Sequence, residues 1–370
     1  MRWPWLSLSL LGCAATPPAV DASALPNELG LLVAESSTLQ DSAVIEAWAP
    51  VSHAYLRHDG FGLDPDTVLR GRIDPRTGRV RRFSLQRRQG TVVERDALGV
   101  QLARWDVFDP GQPPGRANPH DVALGADGTL FVTRYGESSL LAIGPGGARS
   151  TVDLGSFADV DGKPEMDALA LVGGRLYVVL ARVQGKAAPV DAPFLVAIDP
   201  ITRVVEKVLE LPCRNPSGEL RVGARPDELW VSCLGGPLSS PVSRASGLVR
   251  IDLTARTAAR ILEGESLAGF VTAFAILSDD LGVAIVGAWA EGNATSVMAF
   301  DPRGKGTLGK IWASRSSYAF WDLEAVGTTI LVADRDEEAP GILVFGAGGV
   351  ALGKVRTRLP PVDVLPLRSL

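Results

Sequence analysis

Apolar residues along this chain come in short runs, cut off by Gly, Asp, Pro or Asn, and the runs themselves repeat. "TLFVTRY" (129–135), "RLYVVLA" (175–181), "ELWVSCL" (228–234), "LGVAIVG" (281–287) and "TILVADR" (329–335) return every 45 to 55 residues. Each is preceded by another short apolar run, as in "HDVALGADG", "MDALALVGG", "LRVGARPDE", "VTAFAILSD" and "WDLEAVGTT". Each is followed, after a polar loop, by "SLLAIGPGG", "FLVAIDPIT", "GLVRIDLTA", "SVMAFDPRG" or "GILVFGAGG", and then by a further run such as "VVEKVLEL" (204–211) or "LGKVRTRL" (352–359). Runs of this length, bounded by turn residues and free of a helical period, predict strands.

Four strands in about 45 residues make one propeller blade, a twisted sheet that buries both faces by stacking on its neighbours around an axis. A less regular unit spans 54–85, and "ELGLLVAESS" to "AVIEAW" (28–48) either finishes the ring or closes it with C-terminal strands. The expectation is an all-β chain forming a single β-propeller of seven blades, six being the alternative, with four antiparallel strands per blade. Length alone leaves the domain count open; the repeat assigns 28–370 to one domain. The stretch "PHDVALGADGTLFVTRYGESSLLAI" and the pairing of "LYVV" with "FLVAIDPITRVVEKVLEL" resemble YVTN-type seven-bladed propellers, relatives of the NHL and quinoprotein-like propellers, in their bacterial lipoprotein form. That resemblance covers most of residues 50–360. It implies the fold and leaves function open, because such propellers serve as binding scaffolds, surface proteins and, less often, enzymes.

Composition narrows the classes. Forty glycines and 26 prolines in a chain that is 46% hydrophobic suit a turn-rich globular protein. A net charge of −5 speaks against a nucleic-acid partner. The basic run at 70–88, "RGRIDPRTGRVRRFSLQRR", reads as two strands around a "DPRTGR" turn with a solvated face, an anionic partner being the other reading. The N-terminus, "MRWPWLSLSLLGCAA", has one positive charge, a short apolar stretch and a lipobox-like "LLGC". The expectation is a signal peptide over 1–12, lipidation of Cys13 and a Pro/Ala tether over 13–27; an ordinary cleaved signal with an incidental cysteine is the alternative. No run reaches the roughly 20 apolar residues of a spanning helix, so the mature chain is expected to be anchored in the cell envelope rather than inserted. The absence of aspartate after Cys13 favours the outer membrane where a host has two.

In a propeller, the loops leading into each first strand and out of each second strand share one face. His120, Asp121, Arg134, Tyr135, Arg182, Trp321, Asp322, Asp334 and Arg335 are all expected on that face, several near the axial mouth, as a candidate binding surface. The plainer reading is that polar residues starting first strands bond loop backbone. Cys213 and Cys233 approach the same face, so a disulfide is expected unless diagonal strands hold them beyond the roughly 7 Å Cα limit.

Candidate chemistry is sparse. Asp159, Asp161, Glu165 and Asp167 in "ADVDGKPEMDA" could hold Ca²⁺ with carboxylate oxygens, or simply form Asx turns at the channel rim. Gly162 in the fourth position and Ala170 at the closing position rule out an EF-hand. "GAGGVA" (346–351) formally fits a dinucleotide fingerprint but is followed by another strand, so it reads as a hairpin turn. Histidine occurs only at 53, 58 and 120, and neither G-x-S-x-G, H-E-x-x-H nor paired C-x-x-C is present. Propeller lactonases of the gluconolactonase type use Glu, Asn and Asp around a divalent metal; Glu165, Asp167, Asn118 and Asp322 imitate that set without matching a motif. The sequon at 293–295 is uninformative beside a bacterial lipobox. Trp230, Trp289, Trp312 and Trp321 read as core or inter-blade packing, or as platforms for a glycan or peptide. The leading expectation is therefore a monomeric, membrane-tethered binding module for a protein or envelope glycan, without cofactor beyond a candidate Ca²⁺. Its rival is a metal-dependent hydrolase or lactonase with carboxylates in the central channel.

Overall fold

The computed structural model describes residues 30–367 except 38, 41, 50–53, 59–62, 184–191, 237–244, 289–293, 305, 314–318 and 347; side chains at 49, 54–58, 207, 288 and 313 are also left aside. The expected signal peptide and tether, the lipidation candidate Cys13, His53, Trp289 and Asn293 lie outside the described residues.

Seven four-stranded antiparallel sheets follow one another around the ring. Blade 1 runs from Thr67–Ile73 to Gln101–Asp106, blade 2 from Pro119–Leu124 to Arg149–Asp153 and blade 3 from Met166–Val172 to Val205–Glu210. Blade 4 runs from Pro216–Val222 to Thr257–Glu263, blade 5 from Gly269–Ser278 to Gly306–Ala313 and blade 6 from Phe320–Val326 to Ala351–Arg356. Blade 7 is composite. Its first strand is the C-terminal Pro361–Pro366, paired antiparallel with Leu31–Ser36 through Leu31↔Pro366 and Val33↔Val364, and the N-terminal segment adds Ala43–Ala49 and Ala54–His58. Segment 54–58 is thus the outer edge of the closing blade, and the irregular unit expected at 54–85 is really blade 1, starting at Thr67. "GAGGVA" is a hairpin turn, with Gly346 N–H donating to Val350 O at 2.9 Å.

The alternating runs bury their apolar sides between blades. Ala123, Phe131 and Leu140 of blade 2 pack with Met166, Leu169 and Val178 of blade 3. Leu31, Val33 and Trp48 pack with Leu331, Ile342 and Val344, so the closing blade seals against blade 6. Trp230 is fully buried, and Trp312 packs on Phe345 with ring centroids 5.9 Å apart.

One corner recurs where the chain enters a first strand. Asn118, Glu165 and Asn215 take left-handed φ values of 43°, 46° and 51°. Their carbonyls accept from the N–H of Tyr135, Ala181 and Leu234, just past the second strand, at 3.1, 2.9 and 2.9 Å; in blade 6 Ala319 accepts from Arg335 at 2.6 Å. A bulge follows, between Pro119/Val122, Met166/Leu169, Ser217/Arg221 and Phe320/Leu323. Bulges re-aim side chains at strand ends. Here they make His120, Asp167, Ser217 and Trp321 equivalent, each two residues past the corner. Asparagine tolerates the left-handed region; Glu165 does so at a cost of the order of 1 kcal/mol.

Candidate functional site

Inner strands carry polar residues at every second position, which points them all toward the axis. Arg70 and Arg72 come from blade 1, Asp121 from blade 2, Glu219 and Arg221 from blade 4, Asp322 and Glu324 from blade 6, and Asp363 from the closing strand. Arg70 lies 3.0 Å from Glu219, 3.3 Å from Asp121 and 3.4 Å from Asp363, so it spans from blade 1 to blade 4. Arg72 meets Asp121 at 2.5 Å, and Arg221 meets Glu219 at 3.0 Å and Glu324 at 3.2 Å.

The aspartates also tie neighbouring blades by their backbones. Asp121 accepts from Leu169 N–H at 2.9 Å, Asp322 from Val364 at 3.0 Å and Asp363 from Leu69 at 3.2 Å. The closing strand is thereby pinned on both sides, by Asp322 from blade 6 and by its own Asp363 to blade 1. Burial opposes the charge of Arg70, yet Glu219, Asp121, Asp363 and Asp322 hold its pKa above the ordinary value. Glu219 is pushed up by burial but drawn down to about 2 by Arg70, Arg221 and Arg72. Glu324 goes to about 8, through burial that Arg221 only partly offsets and through repulsion from Glu219 and Asp322. Asp363 is raised well above the carboxylate range by burial and by Asp322.

A second group sits at the mouth, across blades 1 to 3. The His120 ring stacks on Tyr135 with centroids 4.4 Å apart, and its Nδ1 faces Asp167 Oδ1 within hydrogen-bond reach. Asp167 is 4% exposed, and its Oδ2 is buried with no hydrogen-bond partner among the described residues. Burial, then the charge of Arg87, lowers the His120 pKa against the opposing pull of Asp167. Burial, then Asp167 and Glu165, raises that of Tyr135. Neutral His120 is thus a hydrogen-bonding group oriented by a carboxylate.

The acidic loop forms a third group. Asp159, Asp161 and Glu165 bring ligand oxygens within 4.8 Å of one another. Glu165 is 3% exposed, and burial with Asp159 and Asp161 nearby moves its pKa to about 8. Such a set could hold a hard cation such as Ca²⁺. Asp167, grouped with these three by sequence, turns to His120 instead.

Several sequence expectations need correction. Arg134 is fully buried, held by Asp109 at 2.7 Å and Ser139 Oγ at 2.6 Å, so it braces a loop rather than presenting a surface. Asp121 is also fully buried, in the axial network, and Asp334 is 6% exposed and paired with Lys354 at 2.6 Å. Of the expected face, His120, Tyr135, Arg182, Trp321 and Arg335 remain at the mouth; Asp322 turns to the axis. The basic run is not simply a solvated face either: Arg70 is 6% exposed at the axis, while Arg81 pairs with Glu94 at 2.6 Å on the sheet. Glu165, Asp167 and Asp322 do not converge on one centre, since they belong to three different groups. Cys213 and Cys233 are joined by a disulfide with Cα atoms 6.1 Å apart. The axial network itself was missed. Its signal was the spacing of two in "RGR", "ELR" and "DLE" within first strands.

The chain is a seven-bladed β-propeller by every feature of this ring. By sequence it matches no protein-family model and no curated protein. By structure it is similar to a "putative 6-phosphogluconolactonase" from Bacteroides fragilis NCTC 9343, at 12% identity and a TM-score of 0.60, over 92% of this chain and 98% of that one. It is similar to a protein of the same description from Bacteroides uniformis ATCC 8492, at 13% identity and a TM-score of 0.60, over 92% and 100%. Virginiamycin B lyase from Staphylococcus aureus aligns at 11% identity and a TM-score of 0.50, over 77% and 87%. At these identities the likeness concerns the fold.

Glu324 gives the axis a pH signature. It holds its proton below about 8 when folded and only below about 4.5 when unfolded. Between those values the folded state binds more protons, so its stabilising contribution is complete below about 4.5 and is lost as pH rises through about 8. Replacing Glu324→Gln should flatten the fall in urea midpoint across that window; a fall as steep as in the unsubstituted protein would show that Glu324 does not cause it.

Proposed function

We propose that this protein is an extracytoplasmic, lipid-anchored propeller of the YVTN type that binds a partner protein or envelope glycan through its mouth-side face. One observation carries the choice of a binding module over an axial enzyme: the inner carboxylates are already engaged by Arg70, Arg72 and Arg221. A divalent cation at the axis would have to displace those guanidinium groups and sit among like charges, so the donor set does not fit a channel metal centre. Polar groups open to a ligand lie at the rim instead, among them Trp321, which is 43% exposed. The Cys213–Cys233 bridge suits an oxidising compartment, as does the lipobox at Cys13. The Pro/Ala tether would hold the rigid ring off an outer-membrane surface.

The names of the two Bacteroides neighbours keep a hydrolase or lactonase as the second reading. Its metal would then sit at Asp159, Asp161 and Glu165, beside the His120–Asp167 pair, and not on the axis. Adding Ca²⁺ should raise the unfolding temperature of the native protein and leave Asp161→Asn unmoved. No Ca²⁺-dependent rise in the native protein removes the loop as a metal site.

For the leading reading, the tethered protein should carry diacylglycerol mass on Cys13 and recover a cross-linked envelope partner. Trp321→Ala and Tyr135→Ala, both folded by circular dichroism, should lose most of that recovery. An unlipidated Cys13 contradicts the anchoring, and undiminished recovery by both variants contradicts the assigned face.

A further inference from the structure

Among the described residues, Arg70, Arg72 and Arg221 on the axis, Arg134 with Asp109 and Lys354 with Asp334 each face a carboxylate, while the part-buried Arg82 and Arg95 bond carbonyl or hydroxyl oxygens. Arg335 differs. Among the described residues no carboxylate lies within ion-pair distance of it, and its Nε is buried without an acceptor. Burial alone shifts its pKa, downward, with no neighbouring acid opposing the shift. Three acids close by are committed elsewhere, and the exposed Glu337 and Glu338 do not reach it. Asp334 takes Lys354 and the N–H of Asp336, Asp336 accepts from Glu338 N–H at 3.0 Å, and Asp322 accepts from Val364. Folded proteins pair buried charges or hold them for a ligand.

The guanidinium also has an aromatic neighbour. Its central carbon stands 5.1 Å from the centroid of the Trp321 ring, and Trp321 is 43% exposed at the mouth. The recurring corner builds this arrangement: Trp321 and Arg335 occupy the positions that His120 and Tyr135 occupy in blade 2, where the two rings stack at 4.4 Å. Blade 2 therefore presents a neutral stacked pair and blade 6 a cationic pair. A guanidinium held over an indole face keeps N–H groups free, a fork that matches the two oxygens of a carboxylate or phosphate.

We propose that Trp321 and Arg335 form an oxyanion subsite at the mouth of the propeller, which takes a carboxylate or phosphate group of the bound partner. Arg335 supplies the two-pronged donor, and Trp321 offers an apolar surface beside the anion. The subsite names the ligand chemistry of the rim face and rests on the binding-module reading for its biological use.

The test follows the Arg335 Nε–Hε resonance in the full-length, arginine-labelled protein, assigned by its disappearance in Arg335→Gln. Acetate and inorganic phosphate are titrated separately against chloride at equal ionic strength. The resonance should move and saturate with acetate or phosphate, and the anion that saturates first identifies the class. Arg335→Lys, followed through the Trp321 indole resonance, should bind that anion roughly tenfold more weakly, because it keeps the charge and loses the fork. No movement with either oxyanion, or the same movement with chloride, overturns the subsite. A partner recovered equally well by Arg335→Gln would overturn the subsite's use and leave the binding face intact. Saturable anion binding with no partner recovered would uphold the subsite and count against the partner reading.

Discussion

Arg70 crosses the axis. By contacting Asp121, Glu219 and Asp363 it joins blade 1 to blades 2, 4 and 7, and the other axial charges are arranged around that reach. Buried ions are costly unless paired, and a guanidinium with three carboxylates recovers that cost only if all four strands hold register. The ring is therefore braced across as well as around. The same aspartates that neutralise the arginines accept backbone N–H groups of the next blade, so charge pairing and blade order are fixed by the same atoms.

This bracing also decides where function can sit. A channel whose carboxylates are spoken for has little chemistry to offer a substrate, while the corners at the mouth deliver side chains in matched pairs. His120 on Tyr135 and Trp321 with Arg335 come from one local device, a left-handed or tight corner followed by a bulge. Among the described residues, buried polar atoms without hydrogen-bond partners occur there at Asp167 and Arg335, which a folded chain does not usually leave so. The rim thus has unspent hydrogen-bonding capacity at these two residues.

Blade number and strand order were legible because the apolar runs repeat with turn residues between them, a signal that needs no long-range information. Closure was half legible: residues 28–48 stood outside the repeat, but their pairing with 361–366 depends on a contact between the two ends of the chain. The site was less so. His120 and Asp121 sit side by side in sequence, yet the bulge sends one to the mouth and the other to the axis. Arg134 and Arg335 follow similar strands, and one residue of offset makes the first a buried brace and the second a cation over an indole with no acid partner among the described residues. Arg70 and Arg72 read as solvent-facing because a first strand looks like any amphipathic strand until its polar side is known to face six others.

The central claim, that the axial charges are structural and cross-braced, is tested most directly by the equilibrium unfolding of Arg70→Met. Removing the guanidinium leaves Asp363 without a cation and Asp121 and Glu219 with only Arg72 and Arg221, and breaking a buried pair in this way costs roughly 3–5 kcal/mol. The account predicts a loss of that size in urea unfolding at neutral pH, eased at acid pH where the stranded carboxylates take up protons. An unfolding midpoint equal to that of the unsubstituted protein would contradict it.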